Sequence, residues 1–250
     1  MISPAMRRPL ICSIAALALA GALATPAAAQ SYPNKPVKVI VTFPPGGTPD
    51  IYGRLMSQEL STLWKQSVVV ENKTGASGTI GTDFVAKAAP DGYTFLITTN
   101  STHTNNPSLY AKLPFDPAKD LVPVSLVSLG TILIAVKVDA PYSDLRGMAD
   151  WVKKLGRPAT YGSWGIGSSG HLYGLMLEKT LGEKVGGGTY NHVPYRGDVP
   201  ALQDVANGTL DLTWASPVSA KTQIAAGKVK AIAAAGARRS RSEEHTSELQ

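Results

Sequence analysis

The clearest pattern of apolar and polar positions runs from Val37 to Leu60. Apolar and polar residues first alternate over V-K-V-I-V-T-F, up to Phe43, but Ile40 makes the second face apolar as well. Such a run predicts a β-strand that is buried on both faces of a sheet. The residues P-P-G-G-T-P-D then end the strand, and apolar residues recur at helical spacing from Ile51 onward. This stretch therefore predicts a strand, a glycine turn and a helix.

A helix that begins directly after a glycine turn is a potential anion site. Its first N–H groups have no intrahelical acceptor, and they lie at the positive end of the helix dipole. Thr48 and Asp50 are of the residue types that cap helices, and Pro49 suits a first turn. The turn could hold a carboxylate or phosphate, or it could simply connect a strand to a helix. Asp50 is interpreted first as a cap and second as a ligand contact.

Strand and helix signals alternate along the rest of the chain. Further strands are predicted at residues 67–71, 93–98, 126–138, 160–162, 190–194, 210–214 and 229–234. Further helices are predicted at residues 83–89, 145–155, 172–181, 201–207 and 218–226. This alternation predicts β-α-β units with parallel strands, whose loops would line one crevice. The long apolar run at 126–138 predicts a passage from one lobe to another.

Residues 1–29 have the pattern of a secretory signal peptide. Arg7 and Arg8 precede an apolar run that reaches Ala24, and small residues follow it. We therefore predict cleavage after Ala29. The apolar run is too short for a membrane span, so a soluble exported protein is expected.

Composition excludes several classes of site. Cys12 is the only cysteine and lies in the predicted leader, so the mature chain is expected to lack disulfides, thiolate metal sites and cysteine nucleophiles. The formal net charge of +6 is spread out, which argues against nucleic acid as a partner. His103, His171 and His192 stand apart in the sequence without ligand spacing, so neither a metal nor another cofactor is predicted.

The last ten residues, 241–250, change the composition abruptly. R-S-E-E-H-T-S-E-L-Q matches the translation of a common sequencing adapter, and we expect this tail to be non-native. The alternative is a polar disordered tail.

A second glycine turn lies between a predicted strand and a predicted helix. Residues 165–170 match G-x-G-x-x-G, but the acidic residue that a dinucleotide site needs about 20 positions later is replaced by a glycine-rich stretch. A cradle for a small anion is therefore favoured over dinucleotide binding. Ser168 or Ser169 beside His171 could form a nucleophile and base, but no G-x-S-x-G elbow or orienting acid is present. A hydrogen-bonding role for His171 at the helix start is favoured.

The turn Y-R-G-D carries two charged residues. Arg196 could clamp a carboxylate with two hydrogen bonds, or it could pair with Asp198. Asp198 precedes an apolar helical run and is interpreted first as a helix cap.

Six segments, taken in order, resemble the substrate-binding receptors of tripartite tricarboxylate transporters, also called Bug proteins. Together they span essentially all of Tyr32 to Arg239. The segments are Tyr32 to Gly47, Val68 to Gly78, Ala86 to Thr94, Asn106 to Pro117, Gly165 to Leu172 and Val193 to Ala201.

The resemblance implies an α/β fold like that of type II periplasmic binding proteins, with two β-α-β lobes, a central cleft and a hinge. Lobe 1 is expected at residues 30–130 and lobe 2 at 131–240. In such receptors the chain returns to the first lobe after a strand like 229–234, so we expect an incomplete first lobe and poor stability.

The resemblance also implies a function. The protein is expected to be a periplasmic, monomeric receptor that closes on a small organic acid. It would deliver the acid to the permease subunits of a tripartite tricarboxylate transporter, or to a sensor, without chemistry. The alternative is an exported α/β enzyme, either a hydrolase or a dinucleotide-dependent one, that acts on a small carboxylated substrate.

The implied ligand site lies between the first β-α loop and the glycine-serine loop of the second lobe. The residues expected to line it are Phe43, Gly46, Gly47, Thr48, Asp50, Asn100, Thr102, Ser163, Gly165, Gly167, Ser168, His171, Tyr195, Arg196, Asp198 and Ser216. Main-chain N–H groups and hydroxyls are expected to bind the carboxylate. The family more often has Pro-Thr where this chain has Thr48-Pro49, and Trp164 adds an aromatic ring beside the second loop.

Overall fold

A computed structural model describes residues 31–185 and 190–236. The predicted leader and the predicted non-native tail lie outside the described residues. From Lys35 onward the chain forms one compact unit, and its described strands make two sheets.

The first sheet has three parallel strands in the order β2-β1-β3. They are β1 (Val37–Val41), β2 (Val68–Asn72) and β3 (Thr94–Ile97). Helix α1 (Thr48–Trp64) connects β1 to β2, and α2 (Thr79–Ala86) connects β2 to β3. Strand β1 is buried on both faces, as predicted, because it is the central strand and helices α1 and α2 both pack against it.

The predicted strand at 126–138 is wrong over its first half. The chain passes through a 3-10 turn (Asn100–Thr102) and the short helix α3 (Asn106–Leu109), and it then has no regular element until β4 (Leu133–Lys137). Val122, Val124, Leu126 and Leu129 are 87%, 77%, 70% and 86% exposed. Apolar alternation alone does not make a strand, because a strand needs a partner for its backbone groups and the described residues provide none here.

The second sheet has five strands in the order β6-β5-β7-β4-β8. Its strands are β4, β5 (Ala159–Ser163), β6 (Tyr190–Pro194), β7 (Leu212–Ala215) and β8 (Val229–Ala234). Its helices are α4 (Leu145–Lys154), α5 (Ser169–Val185), α6 (Asp198–Asn207) and α7 (Pro217–Ala225).

This second sheet is mixed rather than parallel. Strand β5 runs parallel to β6 and β7, but β4 runs antiparallel to both β7 and β8. Helix α4 connects β4 to β5, yet these two strands run in opposite directions, because β7 lies between them, parallel to β5 and antiparallel to β4. The prediction of a wholly parallel sheet was therefore wrong at this strand.

The core lies on both faces of the second sheet. Along β4, Ile134 and Val136 join one buried cluster, while Leu133 and Ala135 join the other. Helices α4 and α5 contribute to the first cluster, and α6 and α7 contribute to the second. Helices on both faces of a sheet define an α/β fold. None of the described helices is both long and apolar enough to cross a membrane.

Candidate functional site

The loop after β1 is anchored by Asp50. Its Oδ2 accepts hydrogen bonds from the Gly46 N–H and from Arg54 Nε, each at 3.0 Å, and its Oδ1 accepts one from Asn72 Nδ2 at 2.8 Å. Asn72 Nδ2 also donates to the Phe43 carbonyl at 2.9 Å. The helix is capped by Gly47, without a side-chain cap bond, so the interpretation of Asp50 as the cap was wrong.

The carboxyl of Asp50 is held in its ionised form. Burial alone would raise its pKa, but hydrogen bonds from Arg54, the Gly46 N–H and Asn72 more than offset that effect. Its pKa therefore lies below the usual value. An ionised carboxylate thus fixes the first loop from its helix side.

The N–H groups of this first loop are largely used within it. Gly46 donates to Asp50, and Gly47 donates to the Pro44 carbonyl at 3.2 Å. Gly46 has φ +81°, a conformation that favours glycine, so it sets the shape of the loop. The Thr48 amide lies in the first helical turn, where no intrahelical acceptor exists. Unlike the two glycine N–H groups, the Thr48 N–H has no acceptor within this loop among the described contacts.

The loop after β5 begins its helix in a similar way. Ser168 caps α5, because the His171 N–H donates to Ser168 Oγ at 3.2 Å. His171 Nδ1 in turn accepts a hydrogen bond from the Gly167 N–H at 3.2 Å. His171 therefore serves as a hydrogen-bonding group at the helix start, and Ser168 does not face it as a nucleophile would.

A second histidine supports the same loop. His192 Nε2 lies 2.7 Å from Ser163 Oγ, which also accepts a hydrogen bond from the Gly165 N–H at 3.2 Å. The rings of His171 and His192 have centroids 4.3 Å apart. These two histidines stand apart in the sequence, but helix α5 and strand β6 bring their rings together in the fold.

Both histidines are held in the neutral form. Burial lowers the pKa of His192 to about 4, with a further contribution from nearby His171. Burial also lowers the pKa of His171. A protonated His171 Nδ1 could not accept the Gly167 N–H, so the geometry of this loop depends on neutral imidazoles.

The two sheets meet first where the loop after β1 contacts α6 and α7. Thr48 Oγ1 hydrogen-bonds Ser216 Oγ and lies 3.4 Å from Ser219 Oγ. Ser216 caps α7, accepting from the Ser219 N–H at 3.1 Å. A Cβ placed on Gly197 would lie 2.7 Å from Pro44 Cδ, so glycine permits this close approach. We call this contact the hydroxyl junction.

Asp198 lies at the hydroxyl junction. Its Oδ2 accepts from the Ser216 N–H at 3.2 Å, and the cap of α6 is Gly197 without a side-chain bond, so the cap interpretation was wrong here too. Burial raises the pKa of Asp198, against the opposing effect of its hydrogen bonds from Ser216 and Ser219. Arg196 is exposed and does not pair with Asp198 in the described structure.

The sheets meet again where the glycine-serine loop contacts the segments after β2 and β3. Ser77 Oγ donates to the Ile166 carbonyl, and Asn105 Nδ2 donates to the Gly167 carbonyl at 3.1 Å. Ser169 Oγ lies 3.4 Å from Asn100 Oδ1. We call this contact the amide junction. The two junctions bring together loops that are far apart in the sequence.

Two of the predicted side chains serve their own neighbourhood. Thr102 is fully buried and donates to the Thr99 carbonyl at 3.1 Å. The hydroxyl of Tyr195 donates to Asp204 Oδ2 at 2.6 Å, and burial together with this partner raises its pKa to about 12.

Five residues that hold the two loops or form the junctions were not among the predicted site residues. They are Asn72, Ser77, Asn105, His192 and Ser219. Asn72 and Ser77 stand in the glycine-punctuated stretch V-E-N-K-T-G-A-S-G, which was used only as a mark of resemblance. The small polar residues of this stretch were the signal that could have identified Asn72 and Ser77 as site residues.

Three buried polar atoms near the amide junction have no hydrogen-bond partner among the described residues. They are Thr99 Oγ1, Ser101 Oγ and Asn106 Oδ1. Asn106 Oδ1 would lie 3.3 Å from a Cβ placed on Gly167. Buried polar atoms are normally paired, so these atoms indicate a polar occupant such as water or ligand. The described residues contain no group of His, Cys, Asp and Glu side chains suited to a metal ion.

Comparison with known proteins identifies the family. Residues 52–244 match the family described as "Tripartite tricarboxylate transporter family receptor". The chain belongs to this receptor family. The receptor chain spans between 55% and 67% of the length of the curated relatives that it matches. The resemblance predicted from six sequence segments is confirmed.

Solved structures share the fold of this receptor. The periplasmic binding protein BugD is 34% identical, with a TM-score of 0.73 over 83% of this chain and 68% of BugD. The R. palustris protein Rpa4515 with adipate is 33% identical, with a TM-score of 0.78 over 83% of this chain and 68% of that one. MatC from Rhodopseudomonas palustris with bound malate is 33% identical, with a TM-score of 0.74 over 83% and 69%. The predicted α/β periplasmic binding protein fold is confirmed.

Proposed function

We propose that this protein is a periplasmic receptor that binds a small organic acid between its two sheets, at the loops 43–50 and 163–171. The family match over residues 52–244 carries this proposal. Relatives with adipate and with malate make a carboxylate the ligand class to test first.

The geometry of the two loops supports a carboxylate site. Both loops end at a helix start, α1 at Thr48 and α5 at Ser169. The amides of Thr48, Ser169 and Gly170 lie in first turns and have no intrahelical acceptor, and helix starts attract anions. The unpartnered polar atoms beside the amide junction add further hydrogen-bonding capacity.

The proposal also covers the export of the receptor, the closure of its lobes, its oligomeric state and the protein to which it delivers the acid. The leader at residues 1–29 would direct export, and lobes at 30–130 and 131–240 would close on the acid. The protein would act as a monomer and would deliver its ligand to the permease subunits of a tripartite transporter or to a sensor. Size-exclusion chromatography with light scattering tests the monomer.

The enzyme alternative receives no support from the described contacts. Ser168 Oγ caps a helix, and Ser169 Oγ lies beside Asn100 rather than beside an imidazole. Ser163 does lie beside His192, but Ser163 is fully buried and both side chains support the loop. No carboxylate is described in contact with His192, as a catalytic triad would need.

A ligand screen tests the receptor function. The purified protein is titrated with a panel of mono-, di- and tricarboxylic acids by thermal shift, and binders are confirmed by calorimetry. A receptor should be stabilised in a saturable way by at least one acid, which is recovered unchanged. If no acid stabilises the protein, or if a bound acid is consumed, the proposed function is wrong.

A further inference from the structure

One peptide group of the glycine-serine loop is hydrogen-bonded at both of its ends. The peptide joins Ile166 to Gly167, and its N–H donates to His171 Nδ1 at 3.2 Å. Its carbonyl oxygen accepts from Ser77 Oγ, which belongs to the segment after β2. We call this peptide group with its two partners the peptide latch. The orientation of one peptide plane therefore decides a hydrogen bond within the loop and a hydrogen bond between the two sheets.

The neighbouring backbone is closely fitted to the same surface. The next carbonyl, that of Gly167, accepts from Asn105 Nδ2 at 3.1 Å. Gly167 has φ +82°, and a Cβ on it would lie 3.0 Å from Leu109 Cδ1. A rotation of the peptide latch would therefore disturb both carbonyl contacts of the amide junction.

Protonation of His171 removes the acceptor that holds the latch. Because Nδ1 accepts the Gly167 N–H, the proton of the neutral ring is on Nε2, and a second proton must go to Nδ1. Two N–H groups would then face each other, and rotation of the peptide relieves that contact. His171 takes up this proton before His192, because burial and the nearby His171 ring lower the pKa of His192 to about 4.

The titratable groups around His171 come from several elements. Strand β5 supplies Tyr161, whose hydroxyl lies 3.5 Å from the His171 carbonyl oxygen, and β6 supplies His192 and Tyr190. Burial, with a contribution from Glu178 of α5, raises the pKa of both tyrosines to about 12, so they stay neutral in acid. Strand β7 carries no titratable side chain. The charged side chains of α4 are exposed, at Arg146, Asp150, Lys153 and Lys154.

These contacts connect the charge of one imidazole to the closure of the proposed site. We propose that the peptide latch is a pH-sensitive switch, in which a proton on His171 releases Ser77, parts the sheets at the amide junction and lowers the affinity for the acid. The closed form favours the neutral ring, so full affinity is expected above the ordinary histidine pKa of 6.5 and is lost as the pH falls below it. This inference rests on the proposed function, because it concerns closure of the same site.

The test compares ligand affinity at two pH values in three proteins. Calorimetry uses malate, adipate and the other acids of the screen as probes, at pH 7.5 and pH 5.5. His171→Asn keeps an oxygen that accepts the Gly167 N–H but does not titrate. The loss of affinity on acidification should be about fivefold larger in the unaltered protein than in this variant. Protonation of the probe itself cancels in this comparison.

Ser77→Ala removes the other end of the latch. It should weaken binding about fivefold at pH 7.5, and the further loss at pH 5.5 should match that of His171→Asn, because the proton then breaks no contact between the sheets. His103→Asn is the matched control. His103 bonds Thr102 at 2.9 Å rather than the glycine-serine loop, so this variant should keep the pH effect of the unaltered protein.

Two results would overturn the inference and leave the receptor function standing. One is an unchanged pH effect in His171→Asn, and the other is a full pH effect in Ser77→Ala. If His171→Asn does not fold, Ser77→Ala decides the matter. Failure of every acid to bind at pH 7.5 would overturn the proposed function and this inference with it.

Discussion

The two glycine loops of this protein have the same outline but are held by different chemistry. In the loop after β1, the Gly46 N–H is bound by the ionised carboxylate of Asp50, which Arg54 and Asn72 also contact. In the loop after β5, the glycine N–H groups are bound by the neutral side chains of Ser163 and His171. The loop after β1 depends on an ionised side chain, whereas the loop after β5 depends on side chains that stay neutral.

This difference shows that a strand, glycine turn and helix can be stabilised in more than one way. A buried carboxylate binds several donors at once, so the first loop depends heavily on one residue. The second loop distributes its hydrogen bonds among two serines and two stacked histidines. The first loop should be sensitive to a single substitution, and the second should be sensitive to mild acid.

The largest effect is expected from Asp50→Ala. The substitution leaves the Gly46 N–H without its acceptor, removes one of the two hydrogen bonds of Asn72 Nδ2 and removes an ion pair with Arg54. Together these losses should cost about 3 kcal/mol of the free energy of unfolding. Denaturant unfolding followed by circular dichroism measures this loss. Asp150→Asn, on an exposed helix face, is the control and should change little. A loss as small as that of the control would mean that Asp50 does not anchor the loop.

A smaller loss of stability is expected when Gly165, which allows the close contact at the amide junction, is replaced. Gly165 has φ +127°, and a Cβ on it would lie 2.5 Å from Ser77 Oγ, whereas a Cβ on Gly46 would meet Val199 only at 3.9 Å. Gly46→Ala should therefore show backbone strain alone, about 1 kcal/mol, and Gly165→Ala about 2 kcal/mol.

Ligand affinity separates these two glycines further. Gly165→Ala should weaken binding about tenfold or more, because it pushes the two sheets apart, and Ser77→Ala in the same protein should recover part of that loss. Calorimetry on both single variants and on the double variant gives the coupling. If Gly46→Ala weakens binding as much as Gly165→Ala, close packing at the amide junction is not the cause.

Acid should act on the second loop before the first. The folded protein holds His171 and His192 below the ordinary pKa of 6.5, so their contribution is fully present above that pH and is lost as the pH falls toward the folded values. About 1 kcal/mol of stability should be lost between pH 6.5 and 5.5. Asp50, whose pKa is lowered from 3.8, should contribute until the pH falls below that value.

The histidine assignment is tested with groups that do not titrate. His171→Asn combined with His192→Gln retains hydrogen-bonding side chains and should reduce the dependence of stability on pH above 5. His103, whose pKa burial also lowers, remains in the variant and should account for the residual dependence. An unchanged pH profile would assign the acid sensitivity to other groups.

The smallest effect on stability is expected from Arg196→Gln. Arg196 is exposed and lacks an ion-pair partner among the described residues, so the free energy of unfolding should change by less than about 0.5 kcal/mol. Ligand affinity then shows whether the guanidinium clamps the acid, since a lost clamp should weaken binding about tenfold. A large loss of stability would show that Arg196 supports the fold.

The sequence predicted the elements that depend on local patterns. Strand β1 was expected from its alternation, and a helix was expected after each glycine turn, although the second begins at Ser169 rather than at Leu172. Helix α2 was expected from Asp83 but begins at Thr79, because the turn before it is a short 3-10 segment (Ala76–Gly78) with no apolar signal. The predicted start of a helix is least accurate where a tight turn, rather than a capping residue, precedes the helix.

Long-range pairing explains what the sequence did not predict. The antiparallel direction of β4 and the stacking of His171 on His192 depend on which segments become neighbours in the sheet. The roles of Asp50 and Asp198 were misassigned because a carboxylate near a helix start looks like a cap whichever donors it meets. The partners that decide the role, Asn72 and Ser216, lie about 20 residues away in each case.

The position of β4 also governs how the polypeptide can fold as it emerges. Among the described strands, β4 pairs with β7 and β8, which follow it by about 80 and 100 residues, so it has no strand partner until most of the second half has been synthesised. The apolar segment just before it is exposed during the same interval. Newly made chains should therefore depend on chaperones that prevent collapse until β7 and β8 have been synthesised.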